Sequence, residues 1–259
     1  MCLILFSWQT HPRYPLVVAA NRDEFHDRPT TAAGFWEDAP DILAGRDIQA
    51  GGTWLGINRT GRFAAISNYR ESLFKPSKLE YSRGHLVRDF LLDNSTSTSY
   101  AEHLQARASH YRGFNLLLGD SEKVFYVSNR TEGPISVDPG SHGLSNHLLN
   151  TDWPKVHKGR TRMDAVLENE HIDPEQLLEL LADKSAASPT RLSTEELRSE
   201  PEKMTKMIFI DSPVYGTRSS TVLLLDRNGE MIFVERQFDA GGKPAGTKSH
   251  KLRINLQPV

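Results

Sequence analysis

Cysteine occurs once in this sequence, at position 2, where it heads the apolar stretch MCLILFSW. One reading is a buried thiol in a first strand, because cysteine packs as a small hydrophobe. The chain end supplies a sharper one. Removal of the initiator methionine, which a small second residue permits, would leave Cys2 with both a thiol and an α-amine, nucleophile and base in one residue. Four further blocks place polar side chains inside or beside apolar strand patterns: NRDE at 21–24, SNY at 67–69, GLSN at 143–146 and YGTRSST at 215–221. An arginine such as Arg22 near Cys2 would favour the thiolate. Asp23 could orient the α-ammonium, while the amides of Asn68 and Asn146 could donate to an oxyanion, and Arg218 would add a second positive charge. This is the inventory of an N-terminal-nucleophile (Ntn) amidohydrolase acting on a small amide or thioester. A ligand pocket on the same ground would use Asn21, Arg22, Asp23, Glu24 and Arg218. For any one block alone, the plainer reading is an ion pair with turn residues.

Composition bounds these readings. The chain has 259 residues, 31 basic against 33 acidic, for a formal charge of −2. No field of one sign would draw nucleic acid or an anionic membrane, so small molecules are the expected partners. A single cysteine excludes an internal disulfide and every metal site built on several thiolates, which fits a reducing compartment. The apolar start lacks a basic n-region, and nothing approaches the roughly 18 apolar residues of a membrane span. A cytoplasmic protein, monomer or homodimer, is expected, with no metal and no cofactor required for chemistry.

The elements that must position these residues are strands at both chain ends and helices between. Residues 3–8 and 16–20 are short apolar runs, and NRDE leaves the end of the second. GGTWLGINRTGRFAAISNYR gives two more strands around Gly61. Ser82 is the expected N-cap of RGHLVRDFLLD, and residues 100–111 form a second helix. FNLLLGD and KVFYVSN form a hairpin, and GLSN is a short strand end. Residues 153–170 are helical, and Asp173 caps a helix with Pro174 at its first position. SAASPTRLSTEELRSEPEK is a surface excursion with at most a short helix. STVLLLDRNGEMIFVERQF is a hairpin turning at Asn228 and Gly229, AGGKPAG is a flexible connection, and KLRINL is a closing strand. The pattern predicts an α+β protein of one domain, residues 1–259.

The blocks MC, AANRDEF, GGTWLGI, SNY, GFNLL, GLSN and YGTRSST occur in the order seen in the NRDE family, whose eukaryotic members are called transport and Golgi organization proteins, and the sequence closely resembles that family over residues 1–226. More remotely, Cys2, the early Arg22 and Asp23, Asn146 ahead of Trp153 and the late Arg218 resemble the bile-salt-hydrolase and penicillin-V-acylase branch of Ntn hydrolases. That resemblance implies a four-layer αββα Ntn-hydrolase-like sandwich. In that branch, two residues separate the early arginine and aspartate. Here they are adjacent and would point to opposite faces of a strand, so both meet Cys2 only if the strand ends there.

The family resemblance also implies a ligand carrier, since its members are linked to heme trafficking and acyl-coenzyme A binding. Heme is therefore the expected cargo, with Arg22 or Arg218 on its propionates. His147, directly after GLSN, is the candidate axial histidine, and Trp8, Trp36, Trp54 and Phe63 are candidate pocket walls or ordinary core. Coiled-coil heptads and membrane anchors that would suit a secretory scaffold are missing from the sequence.

Overall fold

The computed structural model describes residues 2–70, 81–186 and 191–254. In chain order its strands are β1 (Leu3–Trp8), β2 (Leu16–Phe25), β3 (Thr30–Phe35), β4 (Ile42–Asp47), β5 (Leu55–Asn58), β6 (Phe63–Asn68), β7 (Phe114–Gly119), β8 (Val124–Ser128), β9 (Ile135–Ser136), β10 (Gly140–Leu144), β11 (Tyr215–Leu225), β12 (Glu230–Phe238) and β13 (Pro244–Arg253). The α-helices are α1 (Gly84–Leu92), α2 (Ser97–Arg107), α3 (Pro154–Leu167), α4 (Pro174–Leu181) and α5 (Thr194–Ser199). They divide into two compact units, each built on one sheet.

The first unit draws on residues 1–28, Pro139–Leu144 and Asn150–Leu252. Its sheet has the order β10-β1-β2-β11-β12-β13. Alternation along β1 and β2 sends Leu3, Leu5, Val17 and Ala19 to one face, where they pack with Val156 and Met163 of α3 and Leu177, Leu178 and Leu181 of α4. Asp173 caps α4 as expected, accepting from the N–H of Glu175, and Pro174 opens the helix. α5 carries a capping box: the Ser193 side chain takes the N–H of Glu196, whose carboxylate takes the N–H of Ser193.

The second unit draws on Pro29–Asp138, Ser145–Leu149 and residues 253–259. Its sheet runs β3-β4-β5-β6-β7-β8-β9. Helices α1 and α2 bury Leu86, Val87, Phe90 and Leu104 against Ile42, Ile66, Leu116 and Val127. Trp36 belongs to this core and Trp54 packs on it, while Trp8 and Phe63 are also buried. Gly52 and Gly84 meet so closely that a Cβ on Gly52 would stand 2.5 Å from the carbonyl carbon of Gly84. The glycines of the GGTWLG block thus let the chain before β5 touch the start of α1.

Several boundaries differ from the sequence reading. β2 does not end at Ala20; it continues through NRDE to Phe25, because β1 and β11 hold it from both sides. Strands β3 and β4 have no counterpart in the sequence reading; TTAAGF and ILAGRD are short and interrupted by alanine and glycine, which blurs any alternation. Helix α1 has Arg83 at its N-cap rather than Ser82 and no side-chain cap at all. The second helix runs from Ser97 under a Thr96 cap to Arg107, ahead of the 100–111 expected. The flexible reading of AGGKPAG fails from Pro244 onward, where β13 begins; the last two residues of KLRINL lie outside the described residues. Among the described residues, no helix is long and apolar enough to cross a membrane.

Candidate active site

β1 and β2 are antiparallel with Leu3 opposite Asn21, so Cys2, just ahead of β1, comes to the Arg22–Asp23 stretch. The backbone N–H of Asp23 donates to the Cys2 sulfur, and the Arg22 charge acts on the thiol as well. Cys2 retains some exposure. Burial pushes its thiol above the ordinary value and the Asp23 carboxylate adds to the rise, while the Asp23 N–H and Arg22 act against it.

Adjacent residues of a strand do face opposite ways here. Asn21 is on the helix side: its Nδ2 donates to the carbonyls of Leu181 at 2.8 Å and Ile208 at 2.9 Å. Asp23 shares that side, and Arg22 takes the other. β2 does not end there as the sequence reading required: Cys2 lies just ahead of β1, and it receives the Asp23 backbone N–H while Arg22 acts on it through its charge.

Opposite Asp23 on β11 lies Thr217, and the register slips before Ser219, which pairs with Arg22; Arg218 occupies the bulge. The Thr217 hydroxyl donates to Asp23 Oδ1 at 2.7 Å and accepts the N–H of Ile210 at 2.9 Å. Asp23 Oδ2 is buried with no hydrogen-bond partner among the described residues. Burial raises the Asp23 carboxyl above the usual range, opposed first by the N-terminal ammonium and then by Lys155 and the Thr217 hydrogen bond.

Lys155 was not anticipated. It sits in the first turn of α3, is 0% exposed, and its Nζ has no hydrogen-bond partner among the described residues. Burial lowers its pKa below that of an ordinary lysine, and Asp23 and Cys2 pull it back up. One sequence signal was available: Lys155 falls on the stripe that carries Gly159 and Met163, at helical spacing. Thr217 lies inside YGTRSST, where the charge of the neighbouring Arg218 is the stronger sequence signal.

The other expected residues are placed as follows. Asn21 spends both amide hydrogens on carbonyls and its Oδ1 on the Ser220 hydroxyl at 2.6 Å, so it ties the sheet to the end of α4 and has no donor left for a ligand. Glu24 lies 3.9 Å from Arg22 Nη2 and accepts the N–H of Phe25. Arg218 donates to the carbonyls of Phe25 at 2.7 Å and Arg28 at 3.2 Å, closing the turn after β2; it is not among the leading influences on Cys2.

Asn68 and Asn146 belong to the second unit and meet each other: Asn146 Nδ2 donates to the Asn68 carbonyl at 2.7 Å. The SNY and GLSN blocks are joined further by Ser67, which donates to the Ser145 carbonyl, and by Asn115, which reaches both. Asn146 is buried and Asn68 exposed. His147 packs on Tyr69 with ring centroids 5.2 Å apart. The second unit also has a surface pocket of about 280 Å³ walled by Tyr81, His85, Arg88, Arg107, His110 and Tyr111.

A half-buried cysteine at the head of a strand, with an arginine and an aspartate from the neighbouring strand, and antiparallel sheets backed by helices together define an Ntn-hydrolase-like fold. Solved structures show the same fold. An N-acylethanolamine-hydrolyzing acid amidase ortholog from Caenorhabditis elegans is similar with a TM-score of 0.52 at 10% identity, covering 86% of this chain and 92% of that one. A mutant conjugated bile acid hydrolase from Clostridium perfringens gives 0.53 at 10% identity, over 100% and 99%. The family model described as Transport and Golgi organisation 2 matches residues 1–240, and the chain belongs to that family. The Mus musculus Transport and Golgi organization 2 homolog is 35% identical over 259 residues, 92% of this chain and 93% of its own.

Proposed function

We propose that this protein is an N-terminal-cysteine amidohydrolase or thioesterase with Cys2 as nucleophile. The observation that carries the reading is the meeting of Cys2 with Arg22 and Asp23 at the start of β1. The proteins of similar fold include an N-acylethanolamine-hydrolyzing acid amidase ortholog and a conjugated bile acid hydrolase.

With Met1 removed, the α-amine of Cys2 has an ordinary pKa of about 7.7–8.0 and takes the thiol proton near neutral pH. The thiolate adds to the carbonyl carbon, and collapse of the tetrahedral adduct expels the amine or thiol, which receives that proton. Water then cleaves the acyl-cysteine, releasing the acid. Asp23 holds the α-ammonium, and Arg22 offsets the charge on sulfur. The test is a panel of N-acyl amides and acyl thioesters with intact-mass detection. Product release, with an acyl adduct on Cys2 and loss of both in Cys2→Ala, is expected of the form lacking Met1. A correctly trimmed protein that neither labels nor turns over any member refutes the reading.

A second reading, carriage of heme or acyl-coenzyme A, is favoured by the pocket of the second unit. It gathers histidine and tyrosine, which ligate heme iron, with two arginines suited to propionate or phosphate. His110 makes a ring contact with Tyr81 at 6.4 Å, whereas His85 Nε2 lies 2.6 Å from the Ala50 carbonyl. Arg88 is paired with Asp89, which leaves Arg107 as the stronger anion partner. Hemin should give a saturable Soret shift that weakens in His110→Ala and Arg107→Ala and that acyl-coenzyme A competes away. Partitioning without saturation removes this reading.

A further inference from the structure

A buried lysine without a hydrogen-bond partner is an expensive feature, because an unpaired ammonium in the interior loses its hydration and gains nothing in return. Lys155 is such a residue, and its location is specific. It stands on the second residue of α3, a helix that packs on β1 and β10. The groups that act on it electrostatically are the Asp23 carboxylate, from β2, and the Cys2 thiol, ahead of β1; none from β10 or α4 does so. Across from it, Asp23 Oδ1 is satisfied by Thr217 while Oδ2 is not satisfied by any described residue. The buried amine and the buried carboxylate oxygen both have hydrogen-bonding capacity that no described residue takes up, and both interact electrostatically with the Cys2 thiol.

Two further physical effects act on the amine. The first turn of a helix is its positive end, which disfavours an ammonium and favours an anion. Burial favours the uncharged forms of both Lys155 and Cys2. An uncharged amine has a lone pair and can accept a proton.

We propose that Lys155 is a proton acceptor for Cys2, forming a thiol–amine pair that charges the nucleophile without a free α-amine on Cys2 itself. This rests on Cys2 being the nucleophile, but not on which bond it cleaves. In the step, the S–H bond breaks and the proton passes to Nζ, leaving a thiolate and an ammonium flanked by Asp23. During acyl transfer the same proton goes to the departing amine or thiol. Lys155 would then accept the thiol proton in the form that keeps Met1, beside the α-amine in the form that lacks it, and the two groups would titrate as a coupled pair.

The experiment measures alkylation of Cys2 by iodoacetamide from pH 5 to pH 10, quantified by peptide mass spectrometry, in the unmodified chain, Lys155→Met and Lys155→Arg. Only thiolate reacts, so the rate reports its population. Lys155→Met is expected to react about tenfold more slowly at pH 7, with its midpoint raised by about one pH unit. Lys155→Arg, whose charge is permanent, is expected to react at least as fast as the unmodified chain and to have a lower midpoint. Circular dichroism confirms that each variant is folded, and if Lys155→Met is not, the arginine variant decides alone. Midpoints unchanged in the folded variants overturn the proposal. Turnover of the amide and thioester panel is a separate arm: altered midpoints without turnover keep the pair and remove the hydrolase reading, whereas turnover with unchanged midpoints does the reverse.

Discussion

Asp23 divides its two oxygens between structure and site. Oδ1 receives the Thr217 hydroxyl, which in turn holds the N–H of Ile210, so Thr217 links β2, β11 and the segment before β11. Thr217→Val keeps the shape and removes both bonds. Hydrogen bonds to charged groups are worth about 1.5–3 kcal/mol, so the variant should lose at least that in urea unfolding. Ser220→Ala, which removes one bond to Asn21, should lose about 0.5–1.5 kcal/mol.

Lys155 predicts a pH dependence with the opposite slope to that of an acid-stabilising pair. Its folded pKa is depressed, so between that value and the ordinary 10.5 the unfolded chain binds more protons than the folded one. Stability contributed by this residue therefore rises with pH through that window. Lys155→Met lacks the slope. It should be at least as stable as the unmodified chain at pH 7, with the advantage narrowing as pH climbs toward 10.5, measured as thermal midpoints across pH.

At the scale of elements, close backbone approaches fix how the helices attach. A Cβ on Gly52 would lie 2.5 Å from the Gly84 carbonyl carbon and 2.9 Å from the His85 nitrogen, all backbone that cannot swing aside. Gly52→Ala should cost about 1–3 kcal/mol through displacement of α1. Gly34, in β3, has nothing within 4 Å of the same added atom. Gly34→Ala should change stability by no more than about 0.5 kcal/mol, and the pair compared by urea midpoints separates steric from conformational cost.

At the scale of the whole molecule, the chain passes repeatedly from one compact unit to the other, so neither is a continuous segment that could be cut away. On this ground we propose that the chain unfolds as one cooperative domain. Phe90 is fully buried in the core of the second unit, and Phe90→Ala should cost about 3–5 kcal/mol. Far-ultraviolet circular dichroism and tryptophan fluorescence should shift together in that variant. A shift confined to part of the signal would show two independently melting units.

What the sequence determined by itself was local or carried by the order of its family blocks: the strand patterns of β1 and β6–β8, the Asp173 cap, the α+β class and the grouping of Cys2 with Arg22 and Asp23. These follow from period, cap chemistry and motif, all contained within short windows. The tertiary structure alone decided where β2 stops, because the backbone of NRDE is paired by β1 and β11, elements that are distant in sequence. It also separates residues that look alike in the sequence: Asn21 and Arg218 are committed to backbone carbonyls, while Asp23 keeps an oxygen without a hydrogen-bond partner among the described residues. Lys155 shows the reason most directly. Its cost and its chemistry both come from being buried beside Cys2 and Asp23, and burial is a property of what packs around a side chain, which no spacing within its own helix states.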